Sequence, residues 1–533
     1  MPMMKTGARL ALAATMLAMP IGAAMAEKAG GVLKVYHRGT PPSGSIHEEA
    51  TTSTNMPFMG VFNNLVIFDQ QNPVNSLDTI VPDLATEWSW SEDNKKITFK
   101  LRDGVKWHDG ESFTAEDVVC TWNRLQGDVP RNMRLRKNPR KSWYWNLKGV
   151  EANGDHEVTF TLGQPQPSFL ALLASGYSPV YPCHVDAKTM RTAPIGTGPF
   201  KFVELKQNES IKFVKNEDYW KEGKPMLDGI DWTIIRSRST RVLGFISGEF
   251  DMTFVGDITP ALARDIAEQA PTATCDMVPT NVSRNLIVNR DAPPFDDARI
   301  RKAMAMAIDR SEFVEILTEG IATAGGSMLV PPAGVWGMPP EVLAKVPGYG
   351  DVEANREEAR KLMQEAGYGP DNRLDIEIST RNIAIYRDPA VILIDHLKEI
   401  YIDAELKVIE TSNWHATVAR KDYQVGMNLT GMGVDDPDVN FFENYACGSQ
   451  RNYTGYCNEE LQALFIKQSS MTDIEERKKL VWEIDAKLQE DVARPMIFDG
   501  FGGTCYHAPV KGFVTPRNSS YNAWRFEDVW LDR

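Results

Sequence analysis

Residues 374–409 read LDIEISTRNIAIYRDPAVILIDHLKEIYIDAELKVI. Leu374, Ile376 and Ile378 alternate with acidic residues, the period-2 pattern of a strand. From about Pro389 to Ile400 the apolar residues recur at helical spacing, and Ala404 to Ile409 alternates again. Strand, helix and strand in that order predict a βαβ unit, and with it an α/β fold. Upstream, Ile300, Ala303, Met304, Ala307 and Ile308 place one apolar stripe on a helix. Asp309 with Glu312, and Asn355 with Glu358, have capping-box spacing for two further helices, which end at Gly320 and Gly367. In the first half, Gly31 to Tyr36, Ile97 to Leu101 and Glu157 to Leu162 read as strands, and Thr114 caps a helix with Glu116 and Asp117 in its first turn. With no internal repeat, the pattern suggests α/β architecture in two lobes.

The amino terminus indicates the compartment. Lys5 and Arg9 precede an apolar core, Leu10 to Met19, and Ala24-Met25-Ala26 is a small-x-small site. This reads as a secretory signal peptide over residues 1–26, cleaved after Ala26, and the expected location is the periplasm. The apolar run is too short for a membrane span. Of 533 residues, 58 are Lys or Arg and 72 Asp or Glu, a net charge of −14. That balance, without a basic block, argues against nucleic acid as a partner. Arg131 to Lys141 (RNMRLRKNPRK) is the one dense positive run and reads as a solvated loop. Export permits disulfides. Six cysteines allow fifteen complete pairings; Cys447 and Cys457 close a short polar loop and form a plausible staple, Cys120 falls on an apolar helix side as a buried thiol, and Cys183-His184 reads as structural.

Five segments carry a resemblance to a known family: Pro82 to Trp88 (PDLATEW), Ile97 to Leu125 (ITFKLRDGVKWHDGESFTAEDVVCTWNRL), Gly196 to Phe200 (GTGPF), Pro294 to Arg310 (PFDDARIRKAMAMAIDR) and Asp436 to Phe442 (DPDVNFF). In that order they resemble the extracytoplasmic solute-binding proteins of family 5, the dipeptide, oligopeptide and nickel receptors of ABC importers. The resemblance implies a two-lobed periplasmic-binding-protein fold (type II, cluster C-like) with an extra inserted α/β subdomain. Lobe I would take residues 27–75, 190–275 and 506–533, the insert 76–189, and lobe II 285–505, with hinge segments near 276–284 and 505–512. It also implies a bridge between Cys447 and Cys457. The expected partners are a small solute and the permease subunits of an ABC transporter at the inner membrane; the protein is expected to be a monomer without cofactors.

For the site, the resemblance places Arg381, at the end of the 374–378 strand, on a ligand carboxylate, where a guanidinium fork suits bidentate contact; the bland alternative is a surface arginine. Trp414 would pack on the ligand or else sit in the core. Thr51 and Thr52 correspond to a segment that meets an extended backbone by strand addition. Trp143 and Trp145 line the cleft or, alternatively, pack inside. One departure stands out. The Asp that holds a dipeptide's amine should fall near Gly433, in the stretch Leu429 to Asp435 that includes Gly431, with its Trp near Thr430. Asp435 or Asp436 would have to substitute, although Asp436-Pro437-Asp438 also suits a helix cap. A missing acid argues against a free-amine dipeptide, since an unpaired ammonium in a desolvated cleft is costly. The reading is therefore capture of a peptide or a peptide-like, carboxylate-bearing compound. The alternatives are a nickel-type metal-chelate receptor, with His415 as its candidate ligand, or an opine or saccharide receptor. An enzyme is disfavoured, because GxSxG, HExxH and SxxK signatures are absent and acidic pairs such as Glu48-Glu49 are common on surfaces.

Overall fold

The crossover read from residues 374–409 lies at the heart of a five-stranded sheet. In this computed structural model, which describes residues 28–533, strands Leu374–Arg381 and Ile402–Ile409 run parallel, with Arg381 opposite Ile409. Parallel neighbours need a crossover, and helix Ala384–Lys398 supplies it. The helix starts ahead of the expected Pro389. Burying Tyr386, Pro389, Ala390, Leu393 and Leu397 on one face offsets the single backbone bond that proline cannot make. Val425–Gly431, Val282–Val288 and Met496–Phe498 complete the sheet in that order. Ile300, Ala303, Met304, Ala307 and Ile308 are all buried beneath it, in one core with Leu286, Ile376, Ile378 and Leu397.

A second, larger core forms elsewhere. Its first sheet orders Val32–His37, Gly229–Ile234, Ser210–Lys215 and Phe200–Lys206, with the first two strands parallel. Its other four-stranded sheet, Ala85–Trp90, Lys96–Leu101, Glu157–Leu162 and Leu147–Ala152, is antiparallel throughout. Ile97, Phe99 and Leu101 point inward from it, as alternation requires, and helix Ala115–Gln126 packs on it. Helices Pro437–Asn444, Glu459–Ser469 and Ile474–Glu490 contribute to this larger core, for instance through Phe441, Phe465 and Val481. Between the two cores, Thr274–Pro279 pairs antiparallel with Phe501–Tyr506, and a disulfide joins the facing residues Cys275 and Cys505. Among the described residues no helix is long and apolar enough to cross a membrane. The expected leader, residues 1–26, lies outside the described residues.

Several local expectations change. Cys120 is not a free thiol but is bonded to Cys183; Asp117, one turn earlier, accepts from the Cys183 N–H at 2.8 Å and anchors that chain beside the helix. Cys447–Cys457 is also closed. Asp309 caps Arg310–Thr318, but Glu312 does not bond back to it. Glu312 meets His396 Nε2 at 2.7 Å instead, while His396 Nδ1 accepts from the Asp309 N–H. The next helix, Val352–Glu365, is capped by Asp351 rather than Asn355. The basic run 131–141 is only partly solvated: Arg136 and Lys137 pair with buried Glu49, Arg136 and Arg191 hold buried Glu48, and Arg140 is buried on the Tyr177 ring.

Candidate ligand-binding site

In open α/β sheets ligands gather beyond the carboxyl ends of strands, and two arginines stand at such ends. Arg38 follows Val32–His37, and Arg381 closes Leu374–Arg381. Together with Arg284, from Val282–Val288, they line a cavity of about 40 Å³ that the two halves of the molecule enclose. Thr51, Thr52, Tyr386, His415 and Tyr521 complete much of its wall. Thr51 owes its place to helix capping, its side chain accepting from the Ser53 N–H ahead of Thr52–Phe58. As enclosed, the space holds a few water molecules, so a larger guest enters when the halves part.

The cavity wall is strongly cationic. Arg381 is 2% exposed; its Nη1 donates to the Tyr386 hydroxyl at 2.8 Å, while Nε and Nη2 have no partner. Arg38, 7% exposed, lies 4.5 Å from the centre of the Phe254 ring, and its Nε is also unpartnered. Arg284, 6% exposed, sits 4.6 Å from the Phe498 ring. Burial pulls Arg38 and Arg284 down to about 10, so both remain charged at neutral pH. No Asp or Glu is among the lining residues. Nearby Asp257 is committed to Arg241 through bonds of 3.0 and 2.9 Å. Burying a charge without a partner is costly, and an anion entering this space would relieve that cost. His415 has an unpartnered Nε2, its Nδ1 lying 3.4 Å from the Tyr453 hydroxyl. Burial first, then the Arg381 charge, keeps its imidazole neutral.

The other expected residues lie elsewhere. Trp414 is fully buried among Ile287, Val418, Tyr423 and Tyr453 and does not line the cavity. Trp143 donates to Glu443, which pairs with Arg451, and Trp145 stacks on Phe442 at 4.9 Å. Gly431 abuts the Tyr521 hydroxyl, and a Cβ on Gly433 would come within 2.6 Å of the Trp143 ring. The space in which an aspartate at 433 would stand is thus filled by indole. Asp436 caps Pro437–Asn444 and accepts two bonds from Arg477, at 2.9 and 2.8 Å. Asp435 borders a separate cavity of about 490 Å³. Its Oδ2 accepts from the Val335 N–H at 3.2 Å, and burial raises its carboxyl to about 7. Neither acid reaches the arginine cavity to take the amine-binding part. Glu48 and Glu49 are buried ion-pair partners rather than surface acids. No group of three or more His, Cys, Asp or Glu with metal-binding geometry occurs among the described residues.

Arg38, Arg284, Tyr386 and Tyr521 escaped the sequence reading. A cation two residues beyond the expected strand Gly31 to Tyr36 was the available clue for Arg38. Arg284 sits between the polar residues Ser283 and Asn285, just ahead of the apolar Leu286 to Val288, and had no visible partner in the sequence.

A family model for "Bacterial extracellular solute-binding proteins, family 5 Middle" matches residues 79–452. A probable di/tripeptide-binding protein 5 of Pseudomonas aeruginosa is 27% identical over 513 residues, covering 90% of this chain and 91% of the relative. Heme-binding protein A of Haemophilus influenzae is 27% identical over 500 residues, covering 87% and 86%. Among solved structures, the periplasmic binding protein DppA of Helicobacter pylori in complex with peptide STSA superposes with a TM-score of 0.82 at 23% identity, over 95% of this chain and 99% of that one.

Proposed function

Because the chain belongs to family 5 of the bacterial extracellular solute-binding proteins, we propose that it captures a small carboxylate-bearing solute between its lobes and delivers it to the permease of an ABC importer. The reading includes export to the periplasm under the N-terminal leader and action as a receptor, not an enzyme. Peptide-binding relatives make a peptide or peptide-like compound the reference class. The observation that carries the proposal is Arg381: a buried guanidinium with two unpartnered nitrogens at the cavity, placed to take a carboxylate bidentately. The Trp143 ring beside Gly433, and the lack of a lining acid, favour compounds without a free α-ammonium.

Closure follows from linkage. A ligand favours the closed state only to the extent that it binds that state more tightly. A solute touching Arg38 and Thr51 from one core and Arg381 from the other gains its second set of contacts only on closing. Closure then presents the permease with a surface distinct from that of the empty receptor. A second reading, an anionic metal chelate, draws on the unpartnered Nε2 of His415; the cationic wall disfavours a bare metal ion.

The test is native mass spectrometry of protein isolated from its own cell envelope, with metal analysis. An organic acid released on unfolding is expected. Tight binding of unmodified dipeptides by the stripped protein, unaltered by Arg381→Ala, would contradict the reading; stoichiometric metal would favour the chelate.

A further inference from the structure

Taking the arginine cavity as the solute site, as proposed above, we infer that its ligand carries at least two separate carboxylates and no ammonium group. Three guanidinium groups line one cavity, and each rests on its own aromatic ring: Arg38 on Phe254, Arg284 on Phe498 and Arg381 on Tyr386. Each guanidinium is thus seated on a different ring. Arg38 arises from the strand end of one sheet, and Arg284 and Arg381 from the other. A monoacid held by Arg381 leaves Arg38 buried, with its Nε still unpartnered. Two acid groups spaced across the cavity satisfy both sides.

The same arrangement selects against zwitterions. The carboxylate that most affects Arg38, Asp257, is locked by Arg241, and Asp499, which acts on Arg284, borders the separate cavity beside Asp435 rather than this one. It also sets a condition on closure. The Arg38 charge is felt by Arg284, and that of Arg381 by Arg38. Bringing the two sides together without a guest therefore places like charges in a poorly solvated space. A diacid removes that opposition as it bridges the lobes, so ligand charge and closure are coupled.

Titration calorimetry on the ligand-stripped mature protein tests this with four probes: glutarate, its monoamide glutaramate, tricarballylate and the dipeptide Ala-Ala. Glutarate and tricarballylate should bind about tenfold or more tighter than glutaramate, with Ala-Ala weakest. Arg38→Gln should erase the gap between glutarate and glutaramate. Arg38→Lys, which keeps the charge without the fork, should retain part of it. Thermal melting of each variant verifies folding, and Arg284→Gln repeats the comparison if Arg38→Gln fails to fold. Equal binding of glutarate and glutaramate, tighter binding of Ala-Ala, or no binding by any of the four up to about 10 mM would overturn the inference. A monoacid recovered from the native protein would overturn it too, yet would leave the solute-receptor reading standing. That reading fails separately, if Arg381 proves irrelevant to the recovered solute.

Discussion

Asp435 shows how a side chain's surroundings can be tested apart from any ligand. Burial raises its carboxyl to about 7, against about 3.9 for an unfolded aspartate. Between those values the folded chain keeps a proton that the unfolded chain has lost. Stability from this group therefore falls as pH rises from about 4 to about 7, and levels off above. Asp435→Asn removes the slope. Its melting temperature should gain on the parent's progressively across that window, and equal displacement at pH 4 and pH 8 would contradict the assignment. Gly433 offers a steric counterpart. Gly433→Ala presses a methyl group into the Trp143 ring and against the Ser175 hydroxyl, and overpacking of this kind costs about 1–3 kcal/mol. Urea unfolding measures it, and an unchanged midpoint would show that the indole yields freely. Residue-scale legibility was uneven for a physical reason. Arg381 was singled out by the family resemblance, which matched it to a carboxylate-binding arginine at a strand end. Trp414 looked equally suited, but its neighbours Ile287 and Tyr453 come from distant segments that one-dimensional spacing does not reveal.

At the scale of elements, periodicity performed well where one face is buried and poorly where caps compete. The 300–308 stripe and the crossover at 374–409 are both present as apolar faces against one sheet. The start of Val352–Glu365 was misplaced because Asp351 and Asn355 are both competent caps, and only the chain's direction after Gly350 selects the first. Asp351→Ala removes the bond to the Ala354 N–H and should cost about 1 kcal/mol, whereas Asn355→Ala should cost less; chemical denaturation of the pair decides between them. The basic run 131–141 failed in the opposite way. Its partners Glu48 and Glu49 lie far away in sequence, so a charge cluster that reads as solvated serves as cement between a loop and the amino-terminal segment.

For the whole molecule, two cores joined by Thr274–Pro279 and Phe501–Tyr506 make one cavity dependent on both. The Cys275–Cys505 bond ties those strands, a pairing that fifteen possible connectivities concealed. Sequence motifs identified the family and the two-lobed plan. The cationic character of the cavity emerged only when residues 38, 284 and 381 came together. A cavity of this composition is poised for an anion. The most direct measurement is titration of the solute recovered from the native protein into the parent and into Arg381→Gln, both stripped of ligand and both shown to be folded. The account predicts a loss of about a hundredfold in affinity, the size expected for charge-assisted bonds lost in a buried site. Equal affinity of parent and variant would contradict it.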